Sequence, residues 1–141
     1  MKLVKRSETL NDSGTKVFSC VKNEELRLPF FLEYYRKIGV KNFFFMDNSS
    51  VDSTSAYLEK QNDVTLYSTS QLYSKSLAGK LWTDFMRERH GNNCWCLTLD
   101  VDEFFVYPLI EKIDINIFTS TLEKEGVFGV FSIMLDHYPK K

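Results

Sequence analysis

The sequence predicts an α/β protein, a mostly parallel β-sheet with flanking helices. Three observations carry that prediction. Short apolar runs alternate with amphipathic stretches in the order strand, helix, strand, helix, strand, helix, strand. The connections between them are short. Polar clusters follow three of the strands directly, and open parallel sheets bind ligands beyond the carboxyl ends of their strands.

Residues 1–15 are polar and carry the turn signal Asn11-Asp12-Ser13-Gly14, so they read as a lead-in segment to a domain over 16–141. Val17-Phe18-Ser19-Cys20-Val21 reads as a buried strand, with Lys22-Asn23-Glu24-Glu25 after it. Pro29 suits the first turn of a helix. Phe31, Tyr34, Tyr35 and Ile38 then share one apolar face, and Gly39 is a C-terminal stop. Residues 40–46 form a second buried strand, followed by Asp47-Asn48-Ser49-Ser50. Asp52 or Ser53 caps a short helix reaching 58–60, and residues 64–67 are a third strand. A helix is expected over about 76–89, with Leu77, Leu81, Trp82 and Phe85 inward and Gly91 at its end. Residues 95–99 form a fourth buried strand, 117–125 a helix and 127–135 a further strand.

The 141 residues suffice for one domain with a real core. A formal net charge of −1 argues against a general electrostatic grip on nucleic acid or an anionic membrane. No apolar run approaches the roughly 20 residues of a membrane span. The start, Met-Lys-Leu-Val-Lys-Arg-Ser-Glu, has no signal-peptide apolar region. Cys20, Cys94 and Cys96 read as reduced thiols in or near the core of a cytoplasmic protein, at the cytoplasmic face of a membrane as a variant. Cys94 and Cys96 are expected on opposite strand faces, with a CxC metal or redox pair as the alternative.

The densest chemistry lies in Trp95-Cys96-Leu97-Thr98-Leu99-Asp100-Val101-Asp102-Glu103-Phe104-Phe105. An apolar strand runs into three carboxylates within four positions. Unpaired carboxylates in a low-dielectric site repel one another and lose hydration. A divalent cation supplies the missing charge, and hard oxygen ligands suit Mg²⁺, Mn²⁺ or Ca²⁺. Asp100 and Asp102, two apart, share a face on an extended backbone and reach one ion together. The bland alternative is a solvated strand end with turn-forming aspartates. Glu103 either braces the loop or reaches the site. The segment from Asp47 to Asp52 is either a capped turn or a pocket for a base or ribose edge, and Asn23 and Glu24 carry the same two readings. Lys80, Arg87 and Arg89 either face a diphosphate or form a solvated helix face. His90 ends a helix, His137 beside Asp136 is a minor metal-ligand candidate, and Trp82 and the Phe cluster are core.

Taken in order, several motifs resemble a known family. They are Val21-Lys22-Asn23-Glu24, the stretch from Phe30 to Val40, and Asp47-Asn48-Ser49-Ser50-Val51-Asp52-Ser53-Thr54. Trp82, the DxDEF of Asp100 to Phe104, and Met134-Leu135-Asp136-His137-Tyr138-Pro139 complete the set. Over about 16–138 the chain resembles family 2-like glycosyltransferases of the GT-A fold. The resemblance implies a Rossmann-like nucleotide-binding half, a UDP- or GDP-linked sugar donor, and Mn²⁺ or Mg²⁺. It implies sugar transfer to a glycan or other hydroxyl acceptor. By the same resemblance Asp47 recognises the base with Asn23 or Glu24 nearby. Asn48 and Lys80 are counted with the donor pocket. Asp100 contacts ribose or metal-bound water, and Asp102 ligates the metal that bridges the diphosphate. Family members continue into an acceptor half that supplies a carboxylate base in inverting members. Only 39 residues follow Asp102, and Asp136 is the late candidate for that base. The chain therefore reads as a fragment with the acceptor half absent or incomplete. A non-catalytic nucleotide-binding or interaction domain is the alternative. A haloacid-dehalogenase-type phosphatase fits less well, because Phe104 stands where that motif wants Thr or Val.

Overall fold

The computed structural model describes residues 1–10 and 13–135. Among the described residues five strands form one sheet: β1 (Lys2–Lys5), β2 (Lys16–Val21), β3 (Asn42–Asp47), β4 (Val64–Ser68) and β5 (Cys96–Thr98). Their order across the sheet is β1-β4-β3-β2-β5. The pairs β2–β3, β3–β4 and β2–β5 are parallel, and β1 alone runs antiparallel, on β4. The helices are α1 (Leu28–Lys37), α2 (Thr54–Glu59), α3 (Lys80–His90) and α4 (Ile115–Lys124). The protein is thus α/β with a mostly parallel sheet and helices on both faces.

The central strand shows why this sequence adopts that sheet. All six residues of β3, Asn-Phe-Phe-Phe-Met-Asp, are buried, as a parallel strand covered on both faces requires. Alternation sends Phe43 and Phe45 to one face with Val17, Phe31, Tyr35, Leu58 and Ile115, the layer of α1, α2 and α4. It sends Phe44 and Met46 to the other with Phe18, Tyr67, Trp82 and Met86, the layer of α3. Lys16 is buried at the start of β2, and its Nζ donates to the carbonyl of His90 at 2.8 Å. A cation there complements the carbonyl end of α3, where Cys94 Sγ is the carbonyl's second, weaker donor at 3.9 Å.

Pro29 lies in the first turn of α1. Gly39 follows that helix with φ +104°, and a Cβ on it would stand 3.0 Å from the Asp114 Cβ. Glycine is therefore required both by the backbone angle and by the close approach of the α4 N-terminus. Asp114 caps α4 by accepting from Asn116 N and Ile117 N. At α2, Ser53 holds the cap position without a side-chain bond, while Asp52 Oδ1 accepts from Thr54 N at 3.0 Å.

Six expectations are corrected. The segment before residue 16 contributes β1, because the free edge of β4 offers a ladder that four half-charged residues do not advertise. The third helix starts at Lys80, not near 76. Tyr73–Ser76 is a 3-10 turn, and Leu77, Ala78 and Gly79 all take positive φ (52°, 55°, 82°), which breaks the helical path. The break shifts the buried face to Trp82, Thr83 and Met86, leaving Leu77 and Leu81 exposed. The fourth predicted strand is shorter and only half-buried, because β5 lies at the sheet edge. Residues 127–135 form no strand; they find no ladder partner among the described residues, and Phe128, Phe131 and Ile133 are exposed. Cys94 and Cys96 do not face apart: their Sγ atoms are 4.0 Å from each other, since residues two apart on an extended chain share a face.

Candidate functional site

The C-terminal ends of β2, β3 and β5 open on one cavity of about 920 Å³, walled on the far side by the 70–79 loop and the start of α3. Glu24, Asn48, Lys80, Asp100, Asp102 and Glu103 all line it. Parallel pairing places them there. Val21 aligns with Asp47, and β5 runs beside β2, so the residues after three strands meet at one edge.

Asn23 and Asp47 do not line this cavity. Asp47 is buried, and its Oδ1 accepts from Ser50 N (3.0 Å) and Ser50 Oγ (2.6 Å), bracing the turn. Asn23 has φ 58°, and its Oδ1 accepts from Val51 N at 2.8 Å. Both side chains build the turn of 47–52. Asn48 is largely buried and spends Nδ2 on the carbonyls of Thr69 (3.2 Å) and Gln71 (2.9 Å). Glu24 pairs with Arg27 at 2.8 Å. Lys80 lines the cavity while paired with Asp84, which also pairs with Arg87. Arg89 lies over the Phe85 ring, 3.6 Å from its centroid. Arg87 and Arg89 therefore belong to the outer face of α3. Asp136 and His137 lie outside the described residues.

The carboxylates dominate the electrostatics. The Asp100 carboxyl sits above the usual range, first through desolvation, then through the charges of Glu103, Asp102 and Glu24. Glu103 acts as a brace: its Oε2 accepts from Asp100 N at 3.0 Å. The Arg27 guanidinium lies close enough to respond, its pKa raised mainly by the bond to Glu24 and further by Asp102. Cys20 reaches the same cavity. Burial and the Asp100 charge push its thiol up to about 12, so it stays protonated at neutral pH and is a poor nucleophile.

Asp100 and Asp102 offer hard oxygens at an exposed cavity mouth. Among the described residues no group of three or more His, Cys, Asp or Glu side chains is arranged around one metal position. The donor set therefore does not fit an ion enclosed by protein. It fits one held by one or two carboxylates and completed by phosphate and water, the habit of Mg²⁺.

Asp100 also gives a stability prediction with a definite sign. A carboxyl whose folded pKa is raised contributes stability fully present below its unfolded pKa and lost as pH rises through the folded value. Ionised Asp100 thus weakens the fold at neutral pH. Asp100→Asn should raise folding stability at pH 7 by less than about 1 kcal/mol, the group being exposed. The gain should vanish below about pH 4, where wild-type Asp100 is protonated too. Paired urea titrations at pH 7 and pH 3.5 check both halves.

The sequence reading did not foresee the 70–79 loop as a wall. Gln71, Leu72 and Tyr73 line the cavity, and Gln71 Oε1 accepts from Trp82 Nε1 at 3.2 Å. Trp82 is core, as expected, yet its edge also faces this space. Gly79 was the available signal, a glycine inside an apparent helix.

Compared with known protein families, curated proteins and solved structures, the chain matches none. Among the described residues no helix is long and apolar enough to cross a membrane.

Proposed function

We propose that this chain binds a UDP- or GDP-linked sugar together with Mn²⁺ or Mg²⁺ at the C-terminal edge of its sheet. In this reading it is the donor-binding part of a GT-A glycosyltransferase acting toward a glycan or other hydroxyl acceptor. One observation carries the reading: Asp100, Asp102 and Glu24 converge, with Lys22 and Lys80, on one cavity of about 920 Å³, where desolvation and the neighbouring carboxylates raise the Asp100 pKa. That volume lies within the range of small-molecule sites. Asp102, with Asp100 beside it, would hold the metal. When bound, the ion supplies positive charge to the diphosphate leaving group. Asn48 and Glu24 line the base and ribose end, and Lys80 exchanges Asp84 for a phosphate. Asp47 and Asn23 serve indirectly, by fixing the turn on which Asn48 stands.

A second reading, donor binding without transfer, is favoured by the state of Glu103. The cavity's remaining loop carboxylate is spent on the Asp100 amide and is not poised as a base for an acceptor hydroxyl. Calorimetry with Mn²⁺ and a panel of nucleoside diphosphates tests the shared part. Binding that needs the metal and disappears with chelator is the expected result; no binding by any member of the panel overturns it. Sugar release or transfer from UDP- and GDP-sugars then separates enzyme from binder.

A further inference from the structure

The segment carrying the carboxylates is neither helix nor strand beyond Thr98, yet its side chains alternate strictly. Val101 and Tyr107 are buried and Glu103 and Phe105 half-buried, while Asp100, Asp102, Phe104 and Val106 are exposed. Something must hold an irregular arm in that register. Two adjacent tyrosines of α1 do so. Tyr35 is fully buried; its hydroxyl donates to the carbonyl of Glu103 at 3.0 Å and accepts from the amide of Phe105 at 2.9 Å. Tyr34 donates to the carbonyl of Phe105 at 2.8 Å, and its ring meets Phe104 edge-on at 4.8 Å. Three backbone polar groups of Glu103 and Phe105 thus find partners in two phenols. Burial raises both phenol pKa values, so both remain donors at any ordinary pH.

We propose that Tyr35, seconded by Tyr34, is the positioning residue that fixes the register of the 100–107 arm and so presents Asp100 and Asp102 to a metal-bound diphosphate. The role rests on the function proposed above. Tyr35 touches no ligand in it; the hydroxyl acts through the backbone of Glu103 and Phe105. Asp100 and Asp102 stand on a turn, closed by Glu103 N donating to the Asp100 carbonyl at 3.0 Å, rather than on the extended backbone the sequence suggested; a slip of the arm would pull Val101 from its buried place and carry Asp102 with it.

The test is Tyr35→Phe, which keeps the ring and removes the hydroxyl. Expected are an affinity for Mn²⁺ with nucleoside diphosphate about tenfold weaker, as one well-placed hydrogen bond allows, and faster exchange of the Phe105 amide. Tyr34→Phe, at a half-buried position, should shift both readouts the same way by less, and serves if Tyr35→Phe folds poorly. Leu58→Val is the control: Leu58 is the fully buried leucine on the inner face of α2 and does not line the cavity, so stability falls while affinity stays. Equal affinity in Tyr35→Phe and wild type overturns the positioning role and leaves the function standing. So does an equal loss of affinity in Leu58→Val, which would mark general destabilisation. If wild type binds no nucleoside diphosphate, the functional reading falls and takes this role with it.

Discussion

Phe44→Ala should cost about 3–5 kcal/mol of folding stability, the range for a large aromatic removed from a packed core. Phe44 sits in the middle of the central strand and is fully buried. It stacks on Phe18 at 4.9 Å and 13°, and on His90 at 4.5 Å and 21°. The stack joins β2, β3 and the C-terminal end of α3, so a cavity there has rigid walls and collapses poorly. His90 would also lose the ring that orients it toward the Tyr67 hydroxyl, 2.9 Å from Nε2. A domain of this size holds about 5–15 kcal/mol in total, so the variant should unfold at low denaturant. Phe30→Ala, at an exposed site on α1, should stay close to the ±0.5 kcal/mol typical of surface changes. Urea titrations followed by circular dichroism compare the two, and similar midpoints would contradict the packing derived for β3.

Asp102→Ala should lose metal-dependent nucleoside diphosphate binding by on the order of 100-fold or more. Changes one layer outside a metal already cost about 10–100-fold, and here a ligand itself is removed. Asp102 is exposed, so the fold should be spared. Removing its charge also relieves Asp100, which moves stability slightly upward. The variant therefore pairs a large functional loss with an unchanged or higher denaturation midpoint, a combination that general misfolding cannot produce. Calorimetry with Mn²⁺ reads it directly; equal binding by wild type and variant would remove the metal role from Asp102.

The sheet was legible in the sequence where burial on both faces leaves no room for alternation, as in Phe43-Phe44-Phe45. The position of the cavity followed from parallel topology, and Glu24, Asn48, Lys80, Asp100 and Asp102 line it together. What sequence left open was how each polar group is spent. Asp47 bracing Ser50 and Asp47 reaching for a ligand require the same residue in the same turn. The pairing of β1 depends on the vacant edge of β4, which no local pattern reveals. The phase of α3 depends on three residues in left-handed backbone, two of them not glycine. Residues 127–135 have the composition of a strand, but a strand is defined by its neighbour.

The pairing of β2 with β5 also has a kinetic side. β2 meets β3 after a single helix, but its other neighbour arrives only when β4 and α3 have been laid down, with Lys16 aligned to Cys96. Closing so long a loop spends chain entropy before any contact returns it. The β2–β3–β4 unit can therefore assemble early, while the three-residue β5 and the acidic arm attached to it join late and open first, with faster amide exchange at Cys96–Thr98 than at the middle of β3. A ligand clasped by that arm would act on the last step of folding, slowing unfolding far more than it speeds assembly.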